Sequence, residues 1–346
     1  MSVITIIGAG MMGSAMSVPA SDNGYEVRLV GTHLDRDIIE FIKKKHIHPK
    51  MNRILPDCVK PYQIEELETA IMGADLIIGG VSSFGVDWFA EKVLPLLPDM
   101  LPVLLVTKGL QDTPDGELIS FPKLLASKLP GRKLPLNAIG GPCNSYELAD
   151  RRHSAVTFCG DDPIILDKLR NMLETSYYHI SLSTDVMGVE CAVALKNAYA
   201  LCVSLAIGLI EQQEGIGCNE AYNPQAAIFG QSVREMISLL KVFGGGEENI
   251  VLGAGDLFVT VFGGRTRKLG ILLGRGLSFN EAIEELENVT LESVVIAARI
   301  SKVLHKLEEA GKVSMNEFPL MSHLDAIINK SSKVDIPWQS FETKMF

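Results

Sequence analysis

A glycine-rich turn near the beginning of the chain constrains the fold more than any other segment. The motif Gly8-Ala9-Gly10-Met11-Met12-Gly13 follows the apolar run Val3–Ile7 and opens a helical pattern at Ser14. A second apolar run, Glu26–Val30, begins at the distance expected in a βαβ unit. Glycines in this context permit a tight turn and let the backbone approach a pyrophosphate, which the N-terminus of the next helix binds. The motif therefore predicts a dinucleotide-binding domain, and the alternative is a glycine-rich turn that binds no ligand.

Further apolar runs alternate with helical patterns through the first half of the chain. This alternation predicts a doubly wound α/β domain, in which helices cover both faces of a parallel sheet. From about residue 185 helical patterns dominate, so we expect an α/β domain over 1–185, an all-helical domain over 186–330 and a C-terminal tail over 331–346. The predicted strands are Val3–Ile7, Glu26–Val30, Leu76–Val81, Pro102–Val106, Ala138–Ile139 and Ala155–Cys159, and the predicted helices of the second domain are Val186–Gln212, Pro224–Phe243, Arg267–Gly274, Asn280–Glu287 and Ser293–Ala310.

Composition limits the classes of function. The formal net charge is -10, whereas a nucleic-acid binder usually carries a basic surplus, so we expect no nucleic acid as partner. The six cysteines are dispersed without metal-ligand spacing, which indicates free thiols in a reducing cytoplasm and no metal site. The longest apolar helical run, Ala198–Ile210, is too short for a membrane span. The N-terminus lacks the basic residues of a secretory signal, so we expect a cytoplasmic protein.

The end of the second predicted strand bears on the identity of the dinucleotide. NAD sites usually place an acidic residue there to bind the ribose 2′-hydroxyl, but this chain has Thr32 and His33. These two side chains, with Arg36 nearby, could bind a 2′-phosphate, whereas Asp35 and Asp37 would repel it. We therefore expect NAD or NADP as cofactor, with tolerance of NADP or preference for it.

One lysine lies on the apolar face of the most hydrophobic predicted helix. Lys196 shares that face with Ala192 and Tyr199, among other apolar residues. Burial would make its amine a candidate acid or base near neutral pH, because burial lowers the pKa of a lysine. The alternatives are a lysine that reaches the surface and one in a structural ion pair. Asp256 is a candidate counter-ion, and Asn197 would either orient a substrate or cap a local turn.

A second glycine-rich segment predicts an anion site. The sequence Gly253–Asp256 leads through Thr260 to Gly263–Lys268, where a basic run begins a predicted helix. Backbone N–H groups at a helix N-terminus bind anions, and an arginine such as Arg265 can hold a phosphate with two hydrogen bonds. The alternative is a basic helix start exposed to solvent.

These segments together resemble the NAD(P)-dependent glycerol-3-phosphate dehydrogenase family over nearly the whole chain. The order and spacing of the motifs carry the resemblance, since no single fragment is specific. It implies an N-terminal Rossmann domain, an all-α C-terminal domain of the 6-phosphogluconate dehydrogenase C-terminal type and a homodimer. The matching motifs are Gly8-Ala9-Gly10-Met11-Met12-Gly13, Thr107-Lys108-Gly109, Gly141-Pro142, Ala194-Leu195-Lys196-Asn197, Gly255-Asp256-Leu257 with Thr260, and Gly264-Arg265.

The resemblance also implies a reaction and a role for each matching residue. The reaction is the reversible reduction of dihydroxyacetone phosphate by NAD(P)H to sn-glycerol 3-phosphate. Lys196 would be the general acid/base, Lys108 would polarise or position the carbonyl, and Arg265 with the N–H groups near it would bind the substrate phosphate. Thr266, which follows the arginine, is also an expected phosphate-binding residue. Asn197, Asp256 and Thr260 would orient the lysine and substrate, and Glu292 would lie close to the cofactor. The other expected cofactor-binding residues follow from the motif and strand patterns above, namely Gly8, Gly10, Met11, Met12, Gly13, Thr32, His33 and Arg36.

Four positions depart from the family pattern, namely Cys143, Asn144, Thr266 and Ser293. Asn144 replaces an aromatic residue with a hydrogen-bonding one, which would fit a longer or more hydroxylated polyol phosphate. One alternative is therefore a homologous dehydrogenase for another phosphorylated polyol or ketose, or for a small hydroxy acid. A second alternative is a non-catalytic dinucleotide sensor, against which the retained Lys108, Lys196, Asn197 and Asp256 argue.

Overall fold

The chain divides into two compact units. The structure is a computed structural model that describes residues 2–287 and 291–341. Unit 1 comprises the residues up to Gly109 together with Ser120–Glu190, and unit 2 comprises Leu110–Ile119 and the residues from Cys191 onward. The division lies close to the expected boundary at 185, but the segment 110–119, expected in the first domain, belongs to unit 2. Of the expected tail, residues 342–346 lie outside the described residues.

Unit 1 is built on an eight-stranded sheet with the strand order β12-β11-β10-β7-β6-β1-β2-β5. Six neighbouring strands of this sheet follow the order of a doubly wound Rossmann sheet, which is β5-β2-β1-β6-β7-β10 from one edge inward. The switch point lies beside β1. Neighbouring strands are parallel except β10 and β11, which pair antiparallel where a fully parallel sheet was predicted. The strands are β1 Val3–Ile7, β2 Glu26–Val30, β5 Val59–Tyr62, β6 Leu76–Gly79, β7 Val103–Leu105, β10 Leu136–Gly140, β11 Ser154–Cys159 and β12 Tyr178–Ser183, and a small hairpin is formed by β3 Ile47–His48 and β4 Arg53–Ile54.

The central strands are nearly continuous apolar runs because both of their faces are buried. All five residues of β1 are buried, and so are all four of β6. Helices that connect the strands supply the covering layers. They are α1 Met11–Ala15, α2 Ser17–Asp22, α3 Arg36–Lys45, α4 Leu67–Ile71, α5 Val86–Lys92, α6 Phe121–Ser127, α7 Ser145–Ala149 and α8 Pro163–Leu173.

Unit 2 is helical across its described residues except for the hairpin of β8 Leu110–Asp112 and β9 Leu118–Ser120. Arg299 and Lys302 attach this hairpin to a helix of unit 2, because Arg299 donates to the Leu110 carbonyl at 2.7 Å and Lys302 to Asp112 at 2.6 Å. The helices are α9 Val186–Glu214, whose first residues lie in unit 1, α10 Tyr222–Val242, α11 Ile250–Val261, α12 Gly264–Gly274, α13 Phe279–Glu285, α14 Glu292–Glu309 and α15 Pro319–Lys330.

Helix α9 is the apolar helix that raises the question of a membrane span. It is long and apolar enough to cross a membrane by length and composition, but 78% of its most apolar window is buried in the fold. Such burial is typical of a core helix, as predicted.

The glycine-rich segment Gly253–Asp256, which was expected to lead into an anion site, lies inside α11. A Cβ atom at Gly253 would come within 2.8 Å of the Ala192 carbonyl oxygen. The glycine therefore allows α11 to pack closely against α9, and the sequence pattern alone does not distinguish this use from a turn.

Candidate functional site

The glycine-rich turn lies between β1 and α1 in unit 1. Gly8 has a φ of +111°, and a Cβ atom there would lie 2.6 Å from the carbonyl of Gly80. A Cβ at Gly13 would lie 2.3 Å from the Gly8 oxygen, so the fold itself requires both glycines. Gly10 is different, because its φ of −66° suits any residue and the nearest atom to a Cβ there would be 3.8 Å away.

The open space at Gly10 fits a ligand that approaches the backbone. Neither conformation nor packing within the chain requires glycine at this position, whereas a pyrophosphate against the turn would. Met11 and Met12 begin α1 directly after Gly10. The residues present at this turn therefore fit the dinucleotide that the motif predicts.

The three residues expected to bind a 2′-phosphate follow β2. The backbone amide and hydroxyl of Thr32 both donate to the Asp35 carboxylate, at 2.9 and 2.8 Å. His33 is exposed and lies against the ring of Trp88, with 5.9 Å between ring centroids. Arg36 is exposed and forms an ion pair with Glu65. Hydrogen bonds from the chain itself thus partly balance the charge of Asp35, one of the two residues that we expected to repel a phosphate.

Lys108 lies in the segment after β7, half-buried, and its ammonium donates to the Gly141 carbonyl at 2.7 Å. Near it is Glu190, a fully buried carboxyl group on α9. Burial raises the pKa of Glu190 to about 8, against the smaller effects of the Lys108 charge and the Phe121 amide. The carboxyl is therefore mostly neutral at pH 7. Glu190 was not predicted as a site residue, although an acidic residue within an apolar helical run was a usable signal.

Lys196 and Asp256 form an ion pair inside unit 2. The Lys196 Nζ lies 2.5 Å from Asp256 Oδ1, and the two side chains are 14% and 3% exposed. The pair joins α9 to α11, since Lys196 belongs to the former and Asp256 to the latter. The structure thus combines the burial and the ion pairing that the sequence left as alternatives. The Lys196 ammonium group is therefore a partly exposed proton donor, and the buried Asp256 carboxylate holds it in place.

Thr260 and Asn197 lie beside this pair along the two helices. The Thr260 hydroxyl donates to the Asp256 carbonyl at 2.7 Å, within α11. Asn197 follows Lys196 on α9 and is half-buried. Three predicted residues, Lys196, Asp256 and Thr260, are therefore brought together.

The start of α12 has the features of an anion site. Gly263 is its N-cap, no side chain among the described residues caps it, and the first turn contains no acidic residue. Arg265 in this turn is exposed and Thr266 is half-buried. Arg267 instead serves the fold, because it donates to the Val261 carbonyl at 2.8 Å and to Glu220 at 3.0 Å. Backbone amide groups at a helix start without a side-chain cap, beside an exposed arginine, suit a phosphate.

One of the positions that depart from the family pattern, Asn144, has a structural use. Asn144 caps α7, since its side-chain oxygen accepts from the Glu147 amide at 3.1 Å. The capping role accounts for an asparagine at this position, so contact with a larger substrate is not needed to explain it. The expectation of a longer polyol phosphate therefore loses its basis. Cys143 packs partly buried against the core of unit 1, and Ser293 is buried in α14. Glu292 is exposed at the first position of α14.

Comparison with known proteins finds two matching family models. The model of the NAD-dependent glycerol-3-phosphate dehydrogenase N-terminus matches residues 3–163, and that of the C-terminus matches residues 185–338. A protein of Archaeoglobus fulgidus named NADP(+)-dependent glycerol-3-phosphate dehydrogenase is 36% identical over 82% of this chain and 84% of its own length. A glycerol-3-phosphate dehydrogenase [NAD(P)+] of Clostridium tetani is 28% identical over 90% of this chain and 84% of its own.

Solved structures share the fold. The glycerol-3-phosphate dehydrogenase of Plasmodium falciparum aligns with a TM-score of 0.82 and 23% identity, covering 100% of this chain and 96% of that one. The enzyme of the same name from Coxiella burnetii aligns with a TM-score of 0.79 and 23% identity, covering 98% and 97%. At this identity the two structures support the arrangement of elements in the fold.

Proposed function

Because the chain belongs to the NAD-dependent glycerol-3-phosphate dehydrogenase family, we propose that it catalyses the reversible NAD(P)H-dependent reduction of dihydroxyacetone phosphate to sn-glycerol 3-phosphate. The observation that carries this proposal is the ion pair of Lys196 and Asp256, which holds a proton donor at a partly exposed position. The reduction needs such a donor, because the ketone oxygen must gain a proton as the carbonyl carbon gains a hydride.

The proposed chemistry needs a hydride, a proton and a positioned carbonyl group. The nicotinamide cofactor supplies the hydride when it is bound. The Lys196 ammonium donates its proton to the ketone oxygen as negative charge develops there, and takes it back in the reverse direction. Asp256 holds the ammonium, while Asn197 and Thr260 orient the lysine and the substrate. Lys108 polarises or positions the carbonyl group.

We assign substrate phosphate binding to the start of α12. Arg265 and Thr266 lie in its first turn, where the backbone amide groups carry partial positive charge. An arginine binds a phosphate through two parallel hydrogen bonds, and so fixes its orientation. The net charge of -10 makes such local cations necessary, since both the substrate and the cofactor are anions.

We propose that the dinucleotide binds at the glycine-rich turn, with NADP tolerated or preferred. Gly8, Gly10, Met11, Met12 and Gly13 would hold the pyrophosphate, Thr32, His33 and Arg36 the 2′-phosphate, and Glu292 a further part of the cofactor. The name of the Archaeoglobus relative, which includes NADP(+), supports this preference. The test is kcat/KM with each cofactor at saturating dihydroxyacetone phosphate. A value for NADH equal to or above that for NADPH would remove the preference.

A substrate panel tests the proposed activity. We expect dihydroxyacetone phosphate to exceed four- and five-carbon ketose phosphates and small keto acids in kcat/KM with NADPH. Arg265→Lys is the matched probe of phosphate binding, because lysine keeps the charge but loses the paired hydrogen bonds. It should raise the KM of dihydroxyacetone phosphate and leave that of NADPH unchanged. A better rate with a longer ketose phosphate would contradict the proposed substrate.

We also propose a cytoplasmic homodimer. An exposed apolar stripe on α11 and its C-cap supports the dimer, since Val251, Phe258 and the C-cap residue Phe262 lie on one face and the two phenylalanine rings pack edge to face at 4.9 Å. Exposed patches of this kind often form protein interfaces. Light scattering should give twice the mass of one chain, and Phe258→Asp should reduce it to the mass of one. A wild-type protein of single-chain mass would contradict the dimer.

A further inference from the structure

Side chains from outside the glycine-rich turn bind both backbone groups of Ala9. Its N–H donates to the Asp35 carboxylate at 3.2 Å. Its carbonyl oxygen lies 3.0 Å from Nε2 of His48, which belongs to the β3 strand of the small hairpin in unit 1. Ala9 and His48 are both completely buried. The two peptide planes on either side of Ala9 are thus each fixed by a hydrogen bond.

The tautomer of His48 follows from its second contact. The Met51 amide donates to Nδ1 of the ring at 3.0 Å, so this nitrogen carries no proton. The proton of the neutral ring is therefore on Nε2, from which it is donated to the Ala9 carbonyl. Burial lowers the pKa of His48, and the Lys50 charge lowers it further, while the Ala9 carbonyl and the Asp35 carboxylate oppose these effects.

We propose that His48 is a positioning residue of the dinucleotide site, which acts by orienting the peptide between Ala9 and Gly10. A trans peptide is planar, so a carbonyl that points toward His48 makes the Gly10 N–H point the opposite way. Gly10 is the residue whose side-chain position is open to a ligand. His48 thus presets the direction of an amide at the point where the pyrophosphate would approach. This inference rests on the proposed dinucleotide binding.

Two substitutions separate the two hydrogen bonds of the ring. His48→Asn keeps an acceptor near the position of Nδ1 for the Met51 amide, but loses the donor to Ala9. His48→Gln keeps a donor near the position of Nε2. A hydrogen bond of this kind contributes on the order of 1 kcal/mol, which corresponds to about a fivefold to tenfold change in affinity. We expect His48→Asn to raise the Kd of NADPH by about that factor, and His48→Gln to raise it less.

The experiment is a fluorescence titration of the full-length protein with NADPH in the absence of substrate. Steady-state rates should show the same split, with a higher KM for NADPH and an unchanged kcat for His48→Asn. The matched control is His323→Asn, a partly buried histidine of unit 2 that accepts from the Asp335 amide at 3.2 Å. This control should leave the Kd of NADPH unchanged.

A His48→Asn variant that binds NADPH as the wild type does, or Asn and Gln variants that lose affinity equally, would overturn the inference. A wild-type protein that binds no NADPH would instead overturn the proposed function.

Discussion

Two buried carboxylates of unit 2 bind side chains of the same helix, α9, and have different roles. Asp256 of α11 pairs with Lys196, and Glu235 of α10 accepts from the Tyr199 hydroxyl at 3.0 Å. Lys196 and Tyr199 are about one turn apart on α9. Both carboxylates are almost completely buried, at 2% and 1% exposure. The difference between the two pairs lies in the partner, since the Lys196 side chain is partly exposed and Tyr199 is fully buried.

Glu235 is surrounded by donors that fix the fold. Gln231 donates to it at 3.1 Å, and the Leu320 and Met321 amides at the start of α15 donate at 2.8 and 3.1 Å. These bonds tie α9, α10 and α15 together and cap the last of them from another helix. Burial nevertheless raises the pKa of Glu235 to about 7, because the four hydrogen bonds only partly offset desolvation.

Burial of an acid therefore does not by itself identify a catalytic site. In the pair of Lys196 and Asp256 the donor, the Lys196 side chain, is partly exposed to solvent. The donors to Glu235 are buried side chains or backbone amides. We therefore expect substitutions at the first pair to change turnover, and substitutions at the second to change stability.

The largest expected effect is on turnover in Lys196→Met. Removal of a general acid typically costs about 10²- to 10⁴-fold, so we expect kcat to fall by roughly 10³-fold while NADPH binding persists. Stopped-flow or steady-state NADPH oxidation measures the rate, and fluorescence titration measures binding. A near-normal kcat would rule out Lys196 as the proton donor.

The next effect is on stability in Glu235→Ala. This change leaves four buried donors without an acceptor, so we expect a loss of roughly 3–5 kcal/mol in the free energy of unfolding. Chemical denaturation monitored by circular dichroism gives the value. The kcat of the fraction that remains folded should be close to that of the wild type, and a specific loss of kcat would break the distinction between the two pairs.

Glu235 should also make stability depend on pH. The folded-state pKa of about 7 is above the ordinary value of 4.5, so the folded protein favours the protonated acid. The contribution of this raised pKa to the free energy of unfolding is complete below pH 4.5. It declines as pH rises to 7, by about 3 kcal/mol in total. Glu235→Gln cannot titrate, and the wild type should lose stability relative to it over this window. A constant difference between the two proteins from pH 4.5 to 7 would contradict the raised pKa.

The smallest effect is expected for Tyr199→Phe. This change removes one hydrogen bond to Glu235 and keeps the packing of the ring, so we expect a loss of about 1 kcal/mol in the free energy of unfolding. Tyr199 is only three residues from Lys196. Its substitution is therefore the strictest test of whether the structural pair acts independently of the catalytic pair. A tenfold decrease in kcat without further unfolding would show that the two pairs are coupled.

Much of the fold could be predicted because buried strands have a strong apolar signal. All six predicted strands are present, whereas the two missed strands of the main sheet, β5 and β12, are its edges. An edge strand has a neighbour on only one side and tolerates polar residues or proline, and Pro61 lies within β5. The apolar pattern of β10 and β11 does not indicate that the two strands pair antiparallel.

The site was predictable where motifs are local and not where contacts are long-range. The counter-ion of Lys196 could be proposed as Asp256 because each is an isolated charge, Lys196 in an apolar helical run and Asp256 in a glycine-rich apolar segment. His48 and Ala9 are 39 residues apart and meet only through the tertiary fold, so no local pattern indicates their contact. The capping role of Asn144 likewise depends on where α7 begins, which the sequence did not specify.

The most direct test of the proposed reaction follows the hydride itself. The purified protein is incubated with dihydroxyacetone phosphate and NADPH that carries deuterium at the transferable C4 position, and the product is analysed by mass spectrometry and NMR. We predict sn-glycerol 3-phosphate with a single deuterium at C2, formed by the wild type and not by Lys196→Met over the same time. Absence of this product from the wild-type reaction, or deuterium elsewhere in it, would contradict the proposed function.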